Sequence, residues 1–314
     1  MANLEQGFDH WSRYWASGAL TSMPEDFRAN YDGELAAFWA ERFSGLPESA
    51  ALLDVCTGNG AIALLAARWA KEKGRDGLEI SAIDAARIDP AVIAARWPEA
   101  ADLVPGIRFL PQSPLETLDL PAASFDMVSS QYGLEYCDLR LAVPRLVEVL
   151  KPGGLLVMLA HDLSSAMVST MESEARDYAL LETIGFMRLL KRWQAGVLDA
   201  GAIQAGLSSA ARALSSTSPI GGQILPQVFQ SCQALLAMSP GQLLAQRATA
   251  GGYFEQLEAG RLRTADMLRV NQQIGQGDGW LAWFDEAGLE LVETRPMMYR
   301  QLHNVGVARW WQKR

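Results

Sequence analysis

A turn with two glycines follows an apolar segment that ends in an acid, and this turn is the part of the chain best suited to chemistry. The segment reads Leu52-Leu53-Asp54-Val55-Cys56-Thr57-Gly58-Asn59-Gly60. Because Gly58 and Gly60 lack side chains, a ligand can approach backbone N–H groups at the start of a helix, where partial positive charge collects. Asp84 lies 24 positions after Gly60, and its carboxylate can accept hydrogen bonds from both hydroxyls of a ribose. The spacing predicts a nucleoside-binding site.

Two kinds of cofactor are compatible with these glycines. Gly58, Gly60 and Ala63 satisfy the G-x-G-x-x-G/A pattern of dinucleotide-binding folds, so an NAD-dependent oxidoreductase stays open. A turn that cradles a pyrophosphate would not normally have a carboxylate directly before its glycines, whereas a ligand with a sulfonium and an amino-acid group tolerates one. Asp54 occupies that position and favours S-adenosylmethionine.

Strands that alternate with helices over about residues 46–161 must position the two acids. Five segments have the length and composition of strands: ALLDVC, LEISAID, IRFL, FDMVSS and LLVMLA. The segment after the first strand favours a helix that ends at Gly74, and Asp89-Pro90 favours the start of another helix. This alternation predicts a parallel sheet with right-handed crossovers. Two later segments, GLELVETRPM and HNVGVARWW, predict a hairpin that closes the sheet.

The first 45 residues are rich in aromatic side chains. Trp11, Tyr14 and Trp15 are spaced as on one face of a helix, and Phe38 and Trp39 belong to a second helical pattern. We expect amphipathic helices with a heavy apolar face in this region.

Residues 162–275 have no strand signal and are expected to be helical. Breaks are predicted at Ser218-Pro219-Ile220-Gly221-Gly222 and at Ser239-Pro240-Gly241. Between Trp193 and Gln246 only Asp199 and Arg212 are charged. We expect this near-neutral stretch to pack on the sheet, on a lid or on another subunit.

The chain resembles the class I S-adenosylmethionine-dependent methyltransferases over most of residues 46–161 and 280–312. Five pieces match motifs of that family in order: Asp54-Val55-Cys56-Thr57-Gly58-Asn59-Gly60, Asp84, Ser124-Phe125-Asp126-Met127-Val128, Glu148-Val149-Leu150-Lys151-Pro152-Gly153-Gly154, and Asp285-Glu286-Ala287-Gly288-Leu289. The resemblance implies an α/β, doubly wound, mostly parallel seven-stranded sheet of the Rossmann-like methyltransferase fold. The helical pattern of residues 162–275 adds an insertion after the fifth strand, which we expect to act as a lid.

Two positions depart from the family pattern. Cys56 stands where the first glycine is usual, and Ser113 stands where an acid usually holds the adenine amino group. Gln112 or Ser113 can still hydrogen-bond the base through a side chain or the backbone.

The resemblance also implies which residues bind the cofactor. They belong to the turn and to the ends of the following strands: Asp54, Cys56, Thr57, Gly58, Asn59, Gly60, Asp84, Gln112, Ser113, Ser130 and Gln131.

The residues expected near the acceptor lie beyond the fourth and fifth strands. In the family, the loop after the fourth strand lies beside the reacting methyl group, so Tyr132 and Glu135 are candidates to orient an acceptor. His161 ends the fifth strand, at the edge where open parallel sheets bind ligands, and His161 or Glu135 is the expected general base. Family members commonly fold the N-terminal region over the site, which makes Tyr14 and Tyr31 candidates for the substrate pocket.

Composition and charge exclude several other classes of function. The 314 residues carry 27 Lys and Arg against 36 Asp and Glu, a net charge of -9, so nucleic acid is a poor partner. No apolar stretch is long enough to span a membrane and the first residues lack a signal-peptide pattern, so we expect a cytoplasmic protein. Three cysteines, Cys56, Cys137 and Cys232, are far apart in sequence and predict neither a disulfide framework nor a metal site.

The sequence therefore predicts three regions and one activity. Residues 1–45 cover the site, residues 46–161 and 276–314 bind S-adenosylmethionine, and residues 162–275 form a lid that also makes a homodimer contact. The predicted activity is methyl transfer to a small organic acceptor. The alternatives are another reaction of the same cofactor, such as cyclisation of its amino-acid arm, an NAD-dependent oxidoreductase, and a non-catalytic cofactor-binding protein.

Overall fold

The strands predicted from the apolar segments form one seven-stranded sheet in the described part of the chain. The structure is a computed structural model that describes residues 8–22, 29–216 and 224–314. The strands are β1 (Ala51–Val55), β2 (Glu79–Ile83), β3 (Ile107–Leu110), β4 (Phe125–Gln131), β5 (Leu150–Ala160), β6 (Leu289–Tyr299) and β7 (His303–Lys313). Their order is β3-β2-β1-β4-β5-β7-β6. The first five strands run parallel, and β7 is antiparallel to both β5 and β6. The predicted fold class and closing hairpin are confirmed.

The chain divides into two compact units. The first unit comprises Met1–Ala166 and Val270–Arg314, and the second comprises Met167–Arg269. The predicted break at Ser218-Pro219-Ile220-Gly221-Gly222 lies outside the described residues.

Helices connect the strands of the first unit. They are α1 (Asp9–Ala16), α2 (Gly33–Ser44), α3 (Ala61–Lys73), α4 (Pro90–Arg96), α5 (Pro98–Ala101), α6 (Leu139–Val149) and α13 (Ala282–Glu286). Short 3-10 turns occupy Val104–Gly106, Leu115–Thr117, Leu134–Tyr136 and Asp278–Leu281. The helix start predicted at Asp89-Pro90 is present in the structure. The side chain of Asp89 caps α4 by accepting a hydrogen bond from the N–H of Ala91 over 2.9 Å.

The central parallel strands β1 and β4 are mostly buried, as expected of a parallel sheet covered by helices, whereas most residues of the edge strand β6 are exposed. Helix α6 buries one stripe at helical spacing: Leu139, Ala142, Val143, Leu146 and Val149. This stripe joins the apolar cluster that contains Leu53, Val128 and Leu156 of three neighbouring strands. This packed core holds the strands in position, and with them the edge of the sheet at which β1, β2, β4 and β5 end.

The described residues of the second unit are helical and have an apolar core of their own. The helices here are α7 (Ala166–Thr183), α8 (Phe186–Gln194), α9 (Ala200–Ser215), α10 (Ile224–Leu236), α11 (Pro240–Ala245) and α12 (Arg247–Gly275), the last of which continues into the first unit. Ile203 and Leu207 of α9 are buried with Val228 of α10, so much of the near-neutral stretch packs within its own unit. None of the helices in the described ranges is long and apolar enough to cross a membrane.

Candidate active site

Asp84 and the glycine turn meet directly at the carboxyl edge of the sheet. Asp84 follows β2 and is only 9% exposed. Its Oδ2 accepts a hydrogen bond from the N–H of Gly58 over 2.7 Å, and its Oδ1 accepts one from the N–H of Ala86 over 2.7 Å. Burial raises the pKa of Asp84 to about 6, although these two N–H donors oppose the shift. The carboxylate is held in place before any ligand arrives.

Asp54 stabilises the turn through two hydrogen bonds. It is 1% exposed near the end of β1, where its Oδ1 accepts a hydrogen bond from the hydroxyl of Ser129 over 2.7 Å. Its Oδ2 accepts a second bond from the hydroxyl of Thr57. Burial raises the pKa of Asp54 to about 7. Asp54 thus links β1, β4 and the turn, and Ser129 is a partner that the sequence analysis missed.

Cys56 has a backbone conformation that favours glycine. Its φ is 54°, in the left-handed region, which explains why a glycine is usual at this position. The Sγ of Cys56 lies 3.5 Å from the Sγ of Cys137, and both cysteines are free thiols. The distance in sequence had suggested that these cysteines are far apart, but the fold brings them together.

A first cavity of about 640 Å³, open in part to solvent, lies beside Asp84. Its wall combines aromatic, apolar and acidic side chains: Phe8, Trp11, Trp15, Cys56, Ile83, Asp84, Ala85, Ser113, Leu115, Glu116, Tyr132, Gly133, Tyr136 and Cys137. Gln112 is exposed and does not line it. Glu116 does line it, three residues after Ser113, in the 3-10 turn Leu115–Thr117. An aromatic and apolar wall with a few acidic groups is typical of a small-molecule site.

A second cavity of about 420 Å³ adjoins the first. It is lined by Trp11, Trp15, Leu20, Thr21, Ser22, Tyr31, Asp54, Cys56, Thr57, Ala61, Ile62, Gln131 and Tyr132. The two cavities share Trp11, Trp15, Cys56 and Tyr132, so these four side chains form the partition between them.

Tyr31 and Tyr14, both predicted for the substrate pocket, have different environments. Tyr31 lines the second cavity, and its hydroxyl lies 3.1 Å from the hydroxyl of Ser22. Burial raises the pKa of Tyr31. Tyr14 lines neither cavity, and its hydroxyl donates to the carbonyl of Thr21 over 2.8 Å.

The aromatic helix α1 lies directly on the glycine turn. A Cβ built on Gly58 would lie 2.4 Å from Cζ2 of Trp15, so the absence of a side chain lets the Trp15 ring approach. The amide of Asn59, which is 1% exposed, donates to the carbonyls of Trp15 and Ala19 over 2.8 and 2.7 Å. Asn59 therefore ties α1 to the turn, and it lines neither cavity.

Gly60 serves the packing of the turn on β3. Its φ is 83°, and a Cβ at this position would lie 2.8 Å from the ring of Phe109. Gly60 is thus required by the backbone conformation and by its neighbour.

His161 and Glu135 form a buried pair beyond β5. His161 is 2% exposed and Glu135 3% exposed, and Nδ1 of His161 lies 2.7 Å from Oε1 of Glu135. The other oxygen of Glu135, Oε2, is buried without a hydrogen-bond partner among the described residues. Neither His161 nor Glu135 lines the first or the second cavity. Tyr132 lines both of these cavities, and the centroid of its ring lies 4.8 Å from that of the His161 ring. The hydroxyl of Tyr132 donates to the carbonyl of Val305.

The strand end before this pair is longer than predicted. Ser130 and Gln131 lie in β4, and the loop begins at Tyr132. The hydroxyl of Ser130 accepts a hydrogen bond from the N–H of Leu134 over 3.0 Å, which supports the loop from the strand. The indole of Trp39 donates to Oε1 of Gln131 over 2.6 Å.

A comparison with protein families gives one match. Residues 53–158 of the 314 match the family model described as a methyltransferase domain. This segment of the chain is similar to a methyltransferase domain. The match includes the end of β1, the glycine turn, Asp84 and most of β5. No curated protein sequence matches the chain with significance.

Solved structures resemble the methyltransferase domain to different extents. One is the protein in complex with the Haloferax volcanii Trm112 methyltransferase activator, with 19% identity over 48% of this chain and 60% of that chain, at a TM-score of 0.37. Another is an S-adenosylmethionine-dependent methyltransferase from Mesorhizobium loti, with 27% identity over 40% of this chain and 53% of that one, at 0.30. The YcgJ protein from Bacillus subtilis has 14% identity over 89% of this chain and 97% of that one, at 0.37. The chain spans 60% and 53% of the lengths of the first two proteins.

Some of the residues predicted to bind the cofactor line the first or the second cavity, and others do not. Six of these residues line a cavity: Asp54, Cys56, Thr57, Asp84, Ser113 and Gln131. Five do not: Gly58, Asn59, Gly60, Gln112 and Ser130. Glu116 and the two tryptophans of α1 are additions that the motif pattern does not include. Among the described residues, no cluster of three or more His, Cys, Asp and Glu side chains is arranged to hold a metal ion.

Proposed function

We propose that this chain is an enzyme that transfers the methyl group of S-adenosylmethionine to a small organic acceptor. The observation that carries the proposal is the pair of adjoining cavities beside the glycine turn, one with a buried carboxylate and one with a polar and aromatic wall. Two cavities that share one partition suit a donor and an acceptor held side by side. Positioning of this kind can contribute about 7 to 11 kcal/mol to a transfer reaction.

The first cavity has the groups that the adenosine part of the cofactor requires. The carboxylate of Asp84 faces the cavity wall with both oxygens already oriented by N–H donors, so it is suited to accept hydrogen bonds from ribose hydroxyls. The side chain of Ile83 and the aromatic rings supply apolar surface for a base. We assign the recognition of the adenine amino group to Glu116 or Ser113, because the usual acid is missing from the end of β3.

The second cavity is proposed to hold the amino-acid arm and the acceptor. Asp54 and Thr57 lie at one side of it, and Tyr31, Gln131 and Tyr132 line the rest. Neither cavity has a lysine or arginine among its described lining residues, which disfavours a polyanionic acceptor such as nucleic acid.

His161 is proposed as the general base for an acceptor with an O–H or N–H group. Glu135 accepts the hydrogen bond of Nδ1, which leaves Nε2 as the nitrogen that takes a proton. His161 lines neither cavity, and its ring lies against that of Tyr132, which lines both, so this role requires the Tyr132 ring to shift when the acceptor binds. Glu135 is then a positioning residue, and Tyr132 orients the acceptor through its ring.

Analysis of the products by mass spectrometry tests the proposal. We would incubate the protein with S-adenosylmethionine and a panel of small phenols, amines and carboxylic acids. Methyl transfer predicts S-adenosylhomocysteine together with an acceptor heavier by one CH₂ group. Fragments of the cofactor without a methylated acceptor would instead indicate chemistry on the amino-acid arm, and an unchanged cofactor with every acceptor would contradict an enzymatic role.

We further propose that residues 162–275 act as a lid over the acceptor and contribute to a homodimer in the cytoplasm. Support comes from Val197 and Leu244 of the near-neutral stretch, which are 63% and 49% exposed. Sedimentation at micromolar concentration checks the dimer, which Val197→Glu together with Leu244→Glu is expected to dissociate. A monomeric wild-type protein would contradict it.

A further inference from the structure

Cys56 and Cys137 lie together in the wall of the first cavity. Their sulfur atoms are 3.5 Å apart, although 81 residues separate them in the chain. Cys56 belongs to the turn after β1, and Cys137 follows the 3-10 turn Leu134–Tyr136 after β4. Both residues are partly exposed as whole residues, and both line the first cavity. A reagent that enters the cavity can therefore reach them.

The packing around Cys56 holds the two loops in contact. Gly133 begins the loop after Tyr132, and a Cβ at this glycine would lie 2.4 Å from Cβ of Cys56. The loop can approach the turn this closely only because Gly133 has no side chain. The side chain of Cys56 is confined between Gly133 and Cys137, so its sulfur stays near that of Cys137.

We propose that Cys56 and Cys137 form a reversible disulfide by exchange with a small-molecule disulfide, and that this bond closes the cofactor cavity. The sulfurs must approach by about 1.5 Å from their 3.5 Å separation to reach the length of a disulfide bond. Rotation about the Cα–Cβ bonds and a small shift of the loop supply this movement.

The exchange takes place in two steps that balance. Cys137 gives its proton to water, and its thiolate attacks the small-molecule disulfide, forms a mixed disulfide and expels one small thiolate, which takes up a proton. Cys56 then gives its proton to water, and its thiolate attacks the Cys137 sulfur and expels the second small thiolate, which is protonated in turn. The two cysteines are oxidised by two electrons, and the small-molecule disulfide is reduced to two thiols.

The packing supports this order of attack, because Gly133 confines the side chain of Cys56 on one side. The pKa of the Cys56 thiol is raised by its hydrogen bond to Cys137 and by burial, and the nearby carboxylates Asp84 and Glu116 add to the effect.

The bond is expected to weaken cofactor binding, a consequence that rests on the proposed function of the first cavity. It draws the turn after β1 toward the loop after β4, and both elements are walls of that cavity. Asp84 is hydrogen-bonded to Gly58 of the same turn, so movement of the turn also displaces the proposed ribose site.

Oxidation of the whole protein with glutathione disulfide tests the proposal. Peptide mapping under non-reducing conditions is expected to show Cys56 linked to Cys137, and dithiothreitol is expected to remove the link. By calorimetry, the affinity for S-adenosylhomocysteine should fall about tenfold on oxidation and recover on reduction. A protein that remains unlinked in excess oxidant, or a linked protein with unchanged affinity, would overturn the proposal.

The third cysteine provides a matched control. Cys232 is fully buried in the core of the second unit, so Cys232→Ser is expected to respond to the oxidant as the wild type does. The affinity of Cys137→Ser should not respond. If the reduced protein does not bind S-adenosylhomocysteine, the proposed function fails, whereas the mapping of the linked peptide still decides whether the disulfide forms.

Discussion

The N–H of Gly58 donates a hydrogen bond to Oδ2 of Asp84 over 2.7 Å, which joins the turn after β1 to the end of β2. The glycine turn and the acid are therefore one structural element of the methyltransferase domain. Ligand contacts to either part depend on the other, and this coupling guides the choice of variants.

Asp84→Asn is expected to weaken the binding of S-adenosylhomocysteine by about 1.5 to 3 kcal/mol, because it removes a charged acceptor from the cavity wall. Calorimetry measures this change. Asp102→Asn, a substitution at an exposed acid outside both cavities, is the control and should bind as the wild type does. Equal affinities for Asp84→Asn and the wild type would show that the carboxylate does not contact the ligand.

The free energy of unfolding of Asp54→Asn, relative to that of the wild type, is expected to increase as the pH rises from about 4 to 7. The pKa of Asp54 is raised from 3.8 to about 7 in the folded protein, so the folded state binds its proton more tightly than the unfolded state. The free energy of unfolding of the wild type therefore falls through this interval, whereas an asparagine does not titrate. Urea unfolding of both proteins at several pH values measures the difference, and a difference that is independent of pH would rule out the shift.

Asn59→Ala is expected to loosen helix α1 because it removes two hydrogen bonds to the carbonyls of Trp15 and Ala19. Hydrogen exchange of the amides in residues 9–16 should become faster than in the wild type, while amides of β4 keep their protection. If exchange is unchanged but the affinity for S-adenosylhomocysteine falls, Asn59 acts on the ligand instead, as the sequence analysis had predicted.

His161→Ala is expected to destabilise the protein by about 1 to 3 kcal/mol, because Glu135 then stays buried with the backbone N–H of residue 161 as its remaining donor, over 3.1 Å. The same substitution in the Glu135→Gln background should cost less, since no buried carboxylate remains. A double-mutant cycle from urea unfolding measures the coupling, with about 0.5 to 3 kcal/mol expected for residues in contact. Additive costs would mean that the 2.7 Å contact contributes little to stability.

The catalytic role of this pair has a separate readout. If His161 is the base, His161→Gln should lower kcat for an identified acceptor about 100-fold or more and remove the acidic limb of the pH profile, because a base is inactive once it is protonated. The affinity for S-adenosylhomocysteine should stay the same. A loss confined to stability would make His161 and Glu135 purely structural.

Local patterns in the sequence were sufficient for the succession of strands and helices along the chain and for the position of the glycine turn, but not for the order of the strands in the sheet. Each strand and helix depends on neighbouring residues, as at Asp89-Pro90, and parallel crossovers permit few topologies. Once β1 and β2 are adjacent and parallel, Asp84 must lie near the turn. The family motifs depend on this same local order, which is why they could be matched without a structure.

Only the tertiary structure decided which side chains meet. Cys56 contacts Cys137, and Asn59 donates a hydrogen bond to Trp15 of α1, although each pair is far apart in the chain. Glu116 lines the first cavity from a short turn that lies just after the predicted adenine-binding position. Such contacts depend on how loops of particular length pack against one another, and a packed interior allows few arrangements. The periodicity of a sequence determines which face of an element is buried, but it does not determine which residue of a distant loop lies against that face.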